Sequence, residues 1–309
     1  MAGRTLALAA AVAAAAAVLA AGFLLLHGGG RGVSTATTAG GASGGLVVAA
    51  SIPSLADDVR LLLCPGDTVF SIVPAGVDPH SFQLSQRLLQ RVEEADLVVL
   101  MGRAPFEVKL EKLVPRDRVL VVLGLEGLRI ARNPVTGAPV YHMPVYEPRN
   151  YRVFVEALAS RLEGLRPGCA GVYREKLRSI EERIAVLENA SGLLSGVPAV
   201  GSTPVVVYPA EWLGLRLEAL LVPEVGAGAS EAMVERARSL LERGAVAVVL
   251  VDGMGRPATK ADEKLLAMAG EAGAPVLRVP APWTPGSTLE KMERLLSEAR
   301  ALAERLGGG

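Results

Sequence analysis

PGCAGVYREKLRSIEERIAVLENASGLL, residues 167–194, is the stretch on which the architecture turns. Val172, Leu177, Ile180, Ile184 and Leu187 recur at helical spacing with charged residues between them, the pattern of a helix with one apolar face. Pro167 suits a first helical turn. At about 1.5 Å per residue such a helix runs the length of a molecule this size. Short β-branched runs alternate with amphipathic stretches on both sides of it. Before it come LVVAA (46–50), TVFSIV (68–73), LVVLM (97–101) and VLVVL (119–123). After it come residues 205–207, AVAVVLV (245–251) and residues 276–279, with a helix expected over 210–217 and another from 230, where Ser230 is a candidate N-cap. That rhythm predicts an α/β protein of two lobes, each a central, mostly parallel sheet covered by helices. One long rigid helix, residues 166–195, joins a lobe at 46–165 to a lobe at 196–309, and a ligand cleft is expected between them.

The N-terminus has a different character. Residues 5–26 carry no charge and are mostly Ala, Leu and Val, which predicts a signal peptide or membrane anchor over 1–27. Residues 28–45 are rich in Gly, Ser, Thr and Ala, the composition of a flexible tether. The body is therefore expected outside the cytoplasm, close to a membrane. The 309-residue chain has a formal net charge of zero, so no basic field favours nucleic acid as a partner. Cys64 and Cys169 are the two cysteines. Export permits a disulfide between them, and two unpaired buried thiols fit the sequence equally well.

Candidate chemistry concentrates on two histidines. His80 lies in GVDPHSF (76–82), directly after a strand, where Asp78 and Pro79 shape the turn. His142 lies in PVYHMPVYEP (139–148), just ahead of a helix. Neutral imidazole suits zinc, manganese and related metals, and two such loops in one lobe can converge on one ion. A lone loop histidine is more often an ordinary surface residue. His27, at the edge of the apolar segment, reads as interfacial.

Residues 47–113 resemble the zinc- and manganese-binding solute-binding proteins of ABC transporters. VVAASIPSLADDVRLL looks like that family's opening strand and helix, and VFSIVPAGVDPHSFQLSQRLLQRVEEADLVVLMG like its first ligand motif. YHMPVYEPRNYRVFVEALASRL resembles the second, with Glu147–Pro148 at the helix start, and PGCAGVYREKLRSIEERIAVLE resembles the rigid connecting helix. The resemblance implies a divalent transition metal, zinc or manganese, as cargo, an ABC permease as partner, a monomeric receptor, and His80 and His142 as first-lobe ligands.

The second lobe departs from the pattern. Tyr208 stands where the family places a histidine or glutamate, Glu211 follows three residues on, and Asp252 follows AVAVVLV. Any of the three is a candidate to complete the shell. Each also has a plain reading: a capped strand end, a solvated helix start favoured by the dipole, and an Asp–Gly turn. VLRVPAPWTPGST holds no aspartate. These departures also admit a receptor for a chelated or organic solute, or a degenerate receptor. A metallohydrolase needs a general base beside an open metal position; no HExxH or P-loop is present, and the glycine-rich stretches lie in the tether and not between a strand and a helix. The chain therefore reads as a binding protein and not an enzyme.

Overall fold

The computed structural model describes residues 44–224 and 228–307. The expected anchor and most of the expected tether lie outside them. Among the described residues no helix is long and apolar enough to cross a membrane.

The first lobe is built from β1 (Val47–Ala50), α1 (Pro53–Leu62), β2 (Thr68–Ser71), α2 (Gln86–Glu93), β3 (Leu97–Leu100), α3 (Pro105–Leu113) and β4 (Val119–Val121). α4 (Pro148–Leu165) covers it, and α5 (Ala170–Asn189) leads away from it. The second lobe contains β5 (Pro198–Gly201), α6 (Val207–Trp212), β6 (Arg216–Leu220), α7 (Glu231–Glu242), β7 (Val246–Val251), α8 (Lys260–Ala272), β8 (Val276–Pro280) and α9 (Thr288–Gly307). The first sheet has the order β2-β1-β3-β4 and the second β6-β5-β7-β8. Every pairing within them is parallel. The two sheets therefore share one topology, with the strand order reversing beside β1 and beside β5. At such switch points, loops leaving the carboxyl ends of neighbouring strands diverge and open a crevice.

The apolar runs form strands because both faces are covered. All residues of β3 and β7 are buried, as parallel sheets between helices require. In α1, Leu55, Val59 and Leu62 are fully buried, so the helical spacing read from the sequence is its packing face. α2 starts at Ser85, whose side chain accepts from Leu88 N, and α7 at Ser230, which accepts from Met233 N. α4 starts on Pro148 with the Glu147 carboxylate accepting from Asn150 N at 2.9 Å. Pro in the first turn and an acceptor at the cap leave no buried donor unpaired there.

Three expectations differ from the structure. The helix expected over 167–194 is a 3-10 turn, Pro167–Cys169, followed by α5; it stops where Gly192, at φ 79°, turns the chain away. The apolar residues Val205, Val206 and Val207 do not form a strand. They close a 3-10 turn, Pro204–Val206, and begin α6, because Pro204 and Pro209 remove ladder donors on both sides. The strand lies just before, as β5, and residues expected to end the following helix form β6 instead. β5 ends on Gly201, where a Cβ would sit 2.6 Å from Leu220 Cδ2 and 2.7 Å from Val206 Cγ2; only glycine lets the Thr203 turn pack this closely.

Cys64 and Cys169 form a disulfide with a Cα–Cα distance of 6.2 Å. It ties the segment before β2 to the start of α5. Asp67 reinforces that junction: its carboxylate accepts from Leu46 N, Cys64 N, Tyr173 Oη and Arg166 Nη1. These donors hold it below the usual carboxylate range against the opposing effect of burial.

The lobes share one core. A single apolar cluster runs from β1, through α4 and α5, to α6, β7 and α9, and a smaller one fills the outer side of the second lobe. A buried polar network crosses the same boundary. Asp58 of α1 accepts from Tyr151 Oη (2.9 Å), Thr288 N (2.7 Å) and Thr288 Oγ1 (2.6 Å). Lys291, fully buried in α9, donates to Ser54 Oγ (2.5 Å) and Thr284 O (2.7 Å). Burial pushes the Asp58 carboxyl up to about 6 and the Lys291 ammonium down to about 7, the shifts desolvation produces.

Candidate metal centre

His80 sits in the loop after β2. The Asp78 carboxylate accepts from His80 N at 3.0 Å, and the Asp78 carbonyl accepts from Ser81 Oγ. This Asx turn keeps the imidazole clear of the sheet end. His142 arrives from the loop after β4. Residues 131–140 fold into a small antiparallel finger pinned by the Arg132–Pro139 bridge. The Asn133 side chain accepts from Val135 N and Thr136 N and donates to Pro223 O of the second lobe. Beyond His142 the backbone enters the left-handed region at Met143, φ 54°, the one described non-glycine residue to do so. That conformation costs about 1–3 kcal/mol. It lets the chain turn straight from His142 into the 3-10 turn Pro144–Tyr146 ahead of α4.

The two loops bring the imidazoles together with ring centroids 5.7 Å apart and planes tilted by 47°. A ring nitrogen binds zinc at about 2.0–2.1 Å, which puts the ring centroid roughly 3.2 Å from the ion. Two imidazoles aimed at one ion at the observed separation then subtend roughly 125°, within the reach of a tetrahedral shell. His142 is half-buried, and its pKa is lowered to about 4, first by desolvation and then by the neighbouring His80. It is therefore a neutral nitrogen donor at neutral pH, the form a metal requires.

A small cavity of about 70 Å³ surrounds this pair, lined among others by Met101, Arg103, Tyr141, Met143 and Trp283. Glu107 also borders it, but it is buried and its oxygens accept from the N–H groups of Met101, Gly102, Arg103 and Ala104, so it is committed to holding the β3 turn. Arg103 stacks on the Tyr141 ring, 4.0 Å from its centroid. His80 and Trp283 face outward into a wider cleft of about 710 Å³. Its far wall is the second lobe: Thr203 after β5, Leu221 after β6, Thr259 and the first turn of α8, and Trp283 after β8. Every one of these loops leaves the carboxyl end of a strand, where the topology opens a crevice.

The structure brings His80 and His142 together and places the other three candidates elsewhere. Tyr208, Glu211 and Asp252 line neither cavity. Tyr208 is fully buried, donates to Val140 O at 2.6 Å and accepts from Ala131 N at 3.2 Å. Desolvation raises its phenol above the ordinary value, so it stays protonated as a strut between α6 and the His142 finger. Glu211 pairs with Arg129 at 2.8 Å. Asp252 closes its own turn, accepting from Met254 N, Arg256 N and Arg256 Nε. Among the described residues no cluster of three or more His, Cys, Asp or Glu side chains is arranged to hold a metal ion. Trp283, Arg103, Thr203 and the lysines of α8 were absent from the sequence reading. The one signal that could have found Trp283 was its place directly after a strand, where the family motif wants an acid.

Solved structures share this fold. The manganese complex of the solute-binding protein FpvC from Pseudomonas aeruginosa has a TM-score of 0.67 at 18% identity, covering 84% of this chain and 99% of that one. A crystal structure of ZnuA gives 0.66 at 18%, covering 84% and 98%. The manganese-bound periplasmic metal-binding protein of Candidatus Liberibacter asiaticus gives 0.64 at 18%, covering 84% and 99%. A Chlamydia muridarum protein named, provisionally, for metal binding is 24% identical over 131 residues, 40% of this chain. The chain spans a little under half of that relative, 45% of its length. The family model described as zinc-uptake complex component A, periplasmic, matches residues 48–292, and the chain belongs to that family.

Proposed function

We propose that the protein is the extracytoplasmic solute-binding subunit of an ABC importer and captures a divalent transition metal, zinc or manganese, with His80 and His142 as its protein ligands. The observation that carries this reading is the convergence of the two imidazoles, 5.7 Å apart, at the base of the cleft between two sheets of identical topology. Family membership supports the cargo class and the permease as partner. The neutral His142 supports direct ligation at physiological pH. The role is binding and release, with no catalytic step.

Calorimetric titration of the purified body with zinc and with manganese tests this. Saturable one-to-one binding that is lost in His80→Ala is expected. Absence of binding, or binding indifferent to His80, would sink the proposal.

A further inference from the structure

Two nitrogens are a short shell. Zinc takes four donors in closed sites and at least three protein donors in open ones; manganese favours more, mostly oxygen. Here the second-lobe wall facing the imidazoles offers Trp283, Pro282 and Val205, none of which carries a carboxylate, imidazole or thiolate. The space on that side is a cleft of about 710 Å³, the size of a small-molecule site and far larger than an ion needs.

That cleft also has a charge. Lys260 and Lys264, one turn apart on α8, line it, and neither is in an ion pair among the described residues. Asp78 is the one carboxylate residue among the described residues that line it. The N-terminus of the 13-residue helix α8 opens into it at Thr259, Lys260 and Ala261, adding backbone N–H groups and a positive dipole end. Thr203, on the same wall, is 8% exposed, and its buried Oγ1 has no hydrogen-bond partner among the described residues.

We infer that the cargo is a metal already held by a small anionic chelator of the polycarboxylate class, whose donors complete the coordination begun by His80 and His142 while its free carboxylates meet Lys260, Lys264 and the start of α8. Trp283 then stacks on the organic part, between the ion and the lysines. The inference rests on the metal reading above and specifies what fills the other half of the shell.

The test is a calorimetric comparison of zinc alone, the one-to-one zinc–citrate complex, and citrate alone, on wild type, on Lys260→Ala/Lys264→Ala and on His80→Ala. Both lysines are exposed, and unfolding curves check that the double variant is folded. Zinc–citrate is expected to bind at least about tenfold tighter than zinc alone, on the scale of hydrogen bonds to charged groups. The lysine variant is expected to lose most of that advantage, and His80→Ala to bind neither. If citrate instead strips zinc from the protein, or if the lysine variant keeps the full advantage, the inference is overturned while His80-dependent zinc binding still stands. If neither form of zinc binds through His80, the metal reading itself falls.

Discussion

His142 depends on Tyr208 for its position: the phenol donates to Val140 O, two residues before the histidine, and accepts from Ala131 N across the same finger. Tyr208→Phe removes both bonds and leaves a buried carbonyl and amide unpaired. We expect a loss of about 1–3 kcal/mol in urea unfolding, with metal still bound in the same stoichiometry. A fall in affinity as large as that of His142→Ala would return Tyr208 to the ligand set.

In the proposed shell, each imidazole is half of the protein's contribution. His80→Ala and His142→Ala should each weaken zinc binding by at least about 100-fold, beyond the 10–100-fold typical of lost outer partners. Competition with a fluorescent chelator measures it. Asp252→Asn and Glu211→Gln serve as comparisons. Both carboxylates are engaged in ion pairs with arginines outside the two cavities, and affinities near wild type are expected for each.

The disulfide bridges a sequence separation of 105 residues. In the chain-entropy account, closing a loop of that size stabilises the fold by about 4–5 kcal/mol. Cys64→Ser/Cys169→Ser should therefore unfold at markedly lower denaturant. Wild type in reductant should shift toward it, while oxidised wild type should show no titratable thiol. Cys64 precedes β2, at the opposite end of the strands from the histidine loops, so metal stoichiometry should survive the substitution. Loss of zinc binding on reduction would contradict that separation.

The Asp58–Lys291 network predicts an unusual pH dependence. The Asp58 pKa is raised in the fold to about 6 from 3.8, so its contribution is fully present below about pH 4 and is lost as pH rises through 6. The Lys291 pKa is lowered to about 7 from 10.5, so its contribution is present above about pH 10.5 and is lost as pH falls through 7. Both are at their least favourable between about pH 6 and 7, at a cost on the order of 2–3 kcal/mol for Asp58 alone. Denaturant midpoints measured from pH 4 to 10 should show that Asp58→Asn flattens the acid limb and Lys291→Met the alkaline limb. An unchanged acid slope in Asp58→Asn would remove this assignment.

Much of the fold was legible because its signals are local. The runs at 46–50, 97–101 and 245–251 are long enough and β-branched enough to mark buried parallel strands, and Ser230 announces its helix through a bond three residues away. The misread at 205–207 has the opposite cause: three valines look like a strand until Pro204 and Pro209 are weighed as missing donors. His80 and His142 could be paired from sequence by resemblance. The second lobe could not be read that way. Tyr208, Glu211 and Asp252 are used up by Val140, Arg129 and Arg256, partners up to 82 residues distant in the chain. Lys260 and Lys264 meet the cleft only through the turn that follows β7. No spacing rule encodes such encounters.

Trp283 O accepts from Gly76 N at 2.9 Å, and Pro282 O accepts from Ser54 N and Ser54 Oγ. The hydroxyl of Ser54 also accepts from the buried Lys291. These bonds stitch the loop above the histidines to the opposite lobe, alongside a continuous apolar core. A receptor built this way has little freedom to swing like a clam shell. Loaded and empty forms should scatter X-rays with nearly the same radius of gyration. What a docking permease can feel is then a local signal, the stiffness of the His80 and Trp283 loops that line the cleft, rather than a change of overall shape.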